Sequence, residues 1–140
     1  MNKTIIRSLL LSLLFVFSAS VLAACLKEGD VISLTGTLKQ ELVYGPPSFG
    51  ENPESDEKLN YLFLYPDKPL ECVVDADTSF PGWGKKLHLE TSDEKIAGYN
   101  SLVNSHVTVK AQIGLANVAE DNTPVILTEI SEVERSGNNK

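Results

Sequence analysis

The stretch Val31 to Tyr44, VISLTGTLKQELVY, does most to limit what this chain can fold into. Ile32, Leu34, Leu38, Leu42 and Tyr44 fall in one phase; Ser33, Thr35, Thr37, Lys39 and Glu41 fall in the other. Period two with β-branched residues predicts a half-buried strand. The run is long for a strand, and Gly36 interrupts it in the apolar phase. A glycine there predicts a bulge or a sharp bend. A long, bent first strand is what a small closed barrel needs when one strand must pair on both sides.

Punctuation along the rest of the chain supplies the other elements. Gly45 to Lys58, GPPSFGENPESDEK, is a loop, because Pro46 and Pro47 cannot donate to a ladder. Its acids Glu51, Glu54, Asp56 and Glu57 lack the alternating spacing of calcium loops and predict a solvated loop instead. Asn60 to Tyr65 reads as a second strand and Leu70 to Ala76 as a third. A turn-rich loop follows at Thr78 to Gly84, then an additional short strand at Lys85 to Thr91. Ser92 is a good N-cap, Asp93 and Glu94 suit the positive end of a helix, and Ile96, Tyr99, Leu102 and Val103 share one helical face. Ser105 to Leu115 and Thr123 to Val133 are the last two strands. The order predicts a mostly β domain over 25–133: a small five-stranded OB-like barrel with one helix between its third and fourth main strands. A β-sandwich or an open α+β sheet is the alternative. Residues 134–140 read as a disordered tail.

The N-terminus has the layout of a secretory signal peptide, residues 1–24. Lys3 and Arg7 precede an apolar run from Leu9 to Phe17, and small residues follow up to Ala24. Its removal takes 24 of the 140 residues and two cations, moving the net charge from −7 to −9 with neutral histidines. A domain this acidic repels nucleic acid and anionic headgroups; the charge reads first as that of a soluble exported domain, with a basic protein partner as the alternative. Leu22-Ala-Ala-Cys25 looks like a bacterial lipobox, which would place a lipid on Cys25 and the protein on a membrane. Against that, strand-like sequence begins at Val31 without a flexible tether, and Cys72 would stay unpaired in an oxidising compartment. A Cys25–Cys72 bridge and a soluble periplasmic protein are the favoured alternative.

Catalytic patterns are missing. No G-x-S-x-G, H-E-x-x-H or phosphate-cradling glycine loop occurs, and with both cysteines bridged no zinc cluster remains. His88 and His106 alternate with apolar neighbours and read as surface histidines; Asp75 and Asp77 read as a solvated strand end. The expectation is no enzyme and no cofactor. Aromatic and proline residues in or beside loops favour binding instead. Tyr44, Pro46, Pro47, Phe49 and Trp83 are the candidate surface, with Phe49 and Trp83 as exposed anchors. Tyr61, Phe63 and Tyr65 share one phase of the second strand and are expected inside the barrel; with Leu62 and Leu64 inside instead, they form an outer platform.

The motifs Cys25-Leu26, LTGTL (34–38), GPP (45–47), PLEC (69–72) and TPVIL (123–127) occur in an order that resembles a bacterial family of small exported domains marked by the Gly-Pro-Pro motif, a domain of unknown function. The resemblance spans about residues 25–130. It implies paired cysteines at 25 and 72 and one compact exported domain, and it implies no activity. Ala111 stands where relatives tend to have glycine, and Glu120, Asp121 and Asn122 where they have histidines, so no ligand role for those histidines carries over. The function expected is a non-enzymatic module that binds or inhibits a protein of the bacterial envelope. A glycan- or small-ligand-binding domain is the alternative.

Overall fold

Residues 24–137 are described in the computed structural model. The predicted signal peptide, Ala24 apart, and the last three residues of the predicted tail lie outside them. Five strands follow one another as β1 (Val31–Tyr44), β2 (Lys58–Pro66), β3 (Leu87–Leu89), β4 (His106–Leu115) and β5 (Val125–Arg135). They form one mixed sheet in the order β1-β2-β3-β5-β4 that closes in a ring through β4 and β1. All neighbours are antiparallel except β3 and β5. A short helix, α1 (Asp93–Tyr99), and a following 3-10 turn separate β3 from β4.

Ring closure depends on β1. Val31 to Thr37 pair with β4, and Gly36 to Tyr44 pair with β2, so the strand changes partner at Gly36 and Thr37. A Cβ on Gly36 would collide with the Tyr65 carbonyl and the Pro66 backbone. Only glycine lets two strands meet β1 at this point, which is the physical content of the predicted bend.

The ring encloses Leu38, Leu62, Leu64, Leu87, Leu89, Val107, Val109, Ala111, Ile113, Val125 and Leu127. Each fully buried Leu or Val contributes roughly 1.5–3 kcal/mol. The register sets Leu38 opposite Leu64 and Gln40 opposite Leu62, so Leu62 and Leu64 face inward. The expectation that Tyr61, Phe63 and Tyr65 fill the interior is therefore corrected: they line the outer face of β2. Helix α1 begins as predicted, with the Ser92 side chain accepting from Lys95 N, and it buries Ile96 against the ring. Tyr99, Leu102 and Val103 pack beside it.

Two more expectations change. Leu70 to Ala76 is not the third strand; Val73 makes only an isolated parallel bridge with Leu26, flanked by Leu26 N to Cys72 O and Val74 N to Leu26 O. The third strand is the short Leu87–Leu89 segment. Residues 72–74 pair with the N-terminal segment and not with the sheet, where Cys25 and Cys72 are joined in a disulfide with their Cα atoms 4.9 Å apart. Closing a loop of 47 residues stabilises the domain by roughly 4 kcal/mol in the chain-entropy account. β5 also takes in Glu134 and Arg135, which the sequence assigned to the tail. The Arg135 guanidinium donates to Ser105 Oγ and Ser101 O and holds that end in place.

Candidate functional site

The outer face of β1, β2 and β3 carries an unusual aromatic and charged layer. Strand alternation sends Lys39 and Glu41 of β1 and Tyr61, Phe63 and Tyr65 of β2 to the side opposite Leu38, Leu62 and Leu64. Phe63 pairs with His88 across β2 and β3. Tyr61 stacks on the His88 ring at 4.7 Å, and Phe63 lies 5.4 Å from it. Lys86 places its ammonium 4.1 Å from the Phe63 centroid, and Lys39 lies 4.6 Å from that of Tyr65. Both the Lys86 ammonium and the Tyr65 hydroxyl donate to Glu41.

These contacts shift the ionisable groups of the layer. Burial works to raise the Glu41 carboxyl, but the bonds from Lys86 and Tyr65 and the charges of Lys86 and Lys39 outweigh it and hold Glu41 below its ordinary value. Burial, the bond to Glu41 and its negative charge push the Tyr65 phenol up to about 12. Burial likewise raises the Tyr61 phenol, with Glu120, Glu57, Asp93 and Asp121 adding to it. The last set shows what surrounds Tyr61: acids from the β1–β2 loop, the start of α1 and the β4–β5 loop.

His88 departs from expectation. It does leave the core phase, yet it is only 5 % exposed, so it is not a surface histidine. Tyr61 and Phe63 cover it, and its Nδ1 has no hydrogen-bond partner. Burial lowers its pKa, Lys86 adds to that, and Asp121 opposes it. Its main-chain N–H donates to Thr123 Oγ1, which in turn donates to Val125 O. Thr123 thereby ties the β4–β5 loop to β3, where the β3–β5 ladder has only two residue pairs. His106 behaves as predicted: it is exposed and pairs with Asp67 at 2.7 Å.

The predicted binding residues separate into two places. Tyr44 ends β1, and Pro46, Pro47 and Phe49 lie in the β1–β2 turn, where the Pro46–Pro47 peptide is cis and Phe49 takes a φ of 50°. Phe49 is 40 % exposed. Tyr44 shares the phase of Leu38 and so lies on the other side of the sheet from Tyr61. Trp83 is half-buried against the core, which corrects its reading as an exposed anchor. It lines a cleft of about 260 Å³ with Phe80, Pro81, Lys86, Asn122 and Pro124. Through Lys86 this cleft adjoins the aromatic face.

Beside that cleft, Asp75, Asp77, Phe80, Leu115 and Asp121 line a groove of about 290 Å³. Asp75 takes a φ of 61°, and the Asp77 carboxylate accepts from Ser79 N and Oγ, so these acids belong to turns and not to a strand end. A larger groove of about 400 Å³ lies elsewhere, between the end of β3 and β5, and is lined mostly by polar groups including Glu90, Thr91, Lys95 and Glu129.

Sequence reasoning missed Asp56, Lys86 and Thr123. The Asp56 side chain is buried and accepts from Ser48 N, Ser48 Oγ and Gly50 N, stapling the β1–β2 loop. Burial alone would raise this carboxyl; the bonds from Ser48 and Gly50 lower it. The acid-rich composition of the loop concealed the one acid that holds it together. Among the described residues no group of three or more His, Cys, Asp or Glu is placed to hold a metal ion. A bridged Cys25 has no valence left for a lipid thioether, and the bridge fits an oxidising location outside the cytoplasm. No family model, curated protein or solved structure matches the chain, so the resemblance to the Gly-Pro-Pro family rests on its motifs alone.

Proposed function

We propose that this chain is an exported, non-catalytic binding domain built as an OB-like barrel, and that it binds or inhibits a basic protein of the bacterial envelope. The strand order, the single helix between β3 and β4 and the partner change in β1 support the barrel reading. The observation that carries the function is the outer aromatic layer, held in place by Lys86, Glu41 and Lys39 and bordered by Glu57, Glu120 and Asp121. Pre-positioned aromatic side chains lose little freedom on binding and dominate protein interfaces. An acidic border steers a basic partner toward them.

A small-ligand or glycan reading has one observation in its favour, the Trp83 cleft beside that face. At about 260 Å³ it falls below the roughly 300–1,000 Å³ of typical ligand pockets. The protein reading is therefore preferred. Crosslinking in the native periplasm tests it: a stoichiometric complex with one envelope protein is expected, weakened by Tyr61→Ala, Trp83→Ala or Phe49→Ala. Recovery of no partner, together with sedimentation on purified cell wall and quenching of Trp83 fluorescence by oligosaccharide, would transfer the site to the glycan reading.

A further inference from the structure

β1 has a second, unoccupied hydrogen-bonding edge. Thr35 O accepts from Asp67 N and Gly45 N donates to Glu57 O, so the odd-numbered residues point their main-chain groups toward β2. Leu38 N donates to Ser105 O and Leu38 O accepts from Asn104 N, so the even-numbered residues point the other way, toward β4. The β4 ladder ends where Thr37 meets His106. Beyond it, Gln40, Leu42 and Tyr44 aim their N–H and C=O groups past the end of β4. Among the described residues no strand pairing or loop hydrogen bond reaches those groups. An open row of donors and acceptors is a template for another strand.

The shape of this slot identifies the strand. It is closed at one end by Ser105 and Asn104 on Leu38. At the other end the chain turns away, with Gly45 bonded to Glu57 and Phe49. An antiparallel strand centred on Leu42 needs free main-chain groups in the matching phase and must leave room for the turn at Gly45. The slot itself meets those conditions. Turned about a two-fold axis, Leu42 faces Leu42 of the second copy, and Gln40 faces Tyr44. On the other side of the sheet Glu41 faces Val43, so no like charges are opposed. Leu38 of the second copy falls beside Pro46, which has left the strand and has no N–H, so its own bonds to Ser105 and Asn104 stay intact. Leu42 is 52 % exposed in a single chain, an apolar side chain without cover at the centre of the open edge.

We propose that two copies of this chain pair edge to edge through Gln40–Tyr44, joining their sheets across a two-fold axis at Leu42. The contact is small, and both copies are acidic, so the dimer forms with rising concentration and is strengthened by salt. It is built on main-chain groups of the β1 edge and not on the aromatic side chains of β2; Glu41 borders both surfaces, and the proposal does not rest on the function proposed above.

Analytical ultracentrifugation of the mature, disulfide-bonded protein up to millimolar concentration is the test. The weight-average mass is expected to rise from one chain toward two, with amide exchange at Gln40, Leu42 and Tyr44 slowing in step. Leu42→Pro removes the central donor of the open edge while sparing the β2 ladder, and is expected to abolish association with near-UV circular dichroism unchanged. Leu42→Lys sets two ammonium groups on the axis and keeps every backbone group; about tenfold weaker association is expected. A monomer at millimolar concentration overturns the proposal, as does a dimer indifferent to Leu42→Lys or one broken by Trp83→Ala alone. Protection of these amides that appears only when another protein is added, with the chain still monomeric, gives the edge to a different occupant and also overturns it.

Discussion

The two faces of β2 are both buried in part, but by different means. On the inner face Leu62 and Leu64 are wholly enclosed by aliphatic side chains of the ring. On the outer face Phe63 is just as inaccessible, yet it is covered by the His88 ring and the Lys86 ammonium, with half-buried Tyr61 and Tyr65 on either side. Aliphatic packing inside a closed ring has no room to adjust. Long cationic side chains over an aromatic surface do, because their heads stay near water while their stems cover carbon. The difference separates a layer that is rigid from one that can adjust.

Truncating one residue on each face is the most direct way to break this comparison. Leu64→Ala is expected near the upper end of the roughly 2–5 kcal/mol typical of buried leucine, since the ring cannot collapse onto the cavity. Phe63→Ala removes more atoms, but Lys86, Tyr61 and His88 can settle into the space. A cost at or below the low end of roughly 3–5 kcal/mol is expected. Urea unfolding of both variants decides it; a larger loss for Phe63→Ala would mean that the outer layer is as rigid as the core.

A smaller effect concerns pH. The pKa of His88 is lowered by burial from its ordinary 6.5, so just below 6.5 the unfolded chain binds more protons than the native one. His88 therefore contributes no penalty above 6.5, and stability falls as pH drops from there toward the native pKa. Replacing His88 with Phe is expected to flatten that part of the stability profile, with the His106–Asp67 pair present in both proteins. Unfolding midpoints that keep the same pH slope in the variant would remove His88 as the cause.

The smallest effect on stability comes from Glu41→Gln, about 1 kcal/mol or less for a partly exposed ion pair. Its spectroscopic effect is larger. Loss of the carboxylate charge should bring the Tyr65 phenol down from about 12 toward 10.0, followed by ultraviolet titration with Tyr65→Phe to assign the step. An unmoved titration would show that burial alone raises Tyr65 and that Glu41 does not organise the layer.

Alternation in β1 and β4, the Ser92 cap and the helical spacing of Ile96 and Tyr99 were legible in the sequence, because each is a local pattern with one period and one apolar face. The Cys25–Cys72 bridge was one of two readings, since a lipobox and a disulfide place the same demand on the residue before a mature domain. The edge of β1 was invisible, because which way a strand directs its main-chain groups leaves no mark on composition. Of the candidate site, the loop residues were legible from their proline and aromatic content, whereas Lys86 and Glu41, distant in sequence, were not.

What the sequence determined by itself was the mostly β character, the long strands β1, β2, β4 and β5, the position of the helix and the bend at Gly36. Only the tertiary structure decided which face of β2 is inside and which segment serves as the third strand. Tyr61, Phe63 and Tyr65 and the alternating Leu62 and Leu64 are both apolar sets of period two, and periodicity cannot rank them. Pairing with Leu38 ranks them, because a ring closes around the side chains its register turns inward. Leu70 to Ala76 likewise has the composition of a strand, but the disulfide holds it against the N-terminal segment and leaves the edge of β2 to Leu87–Leu89.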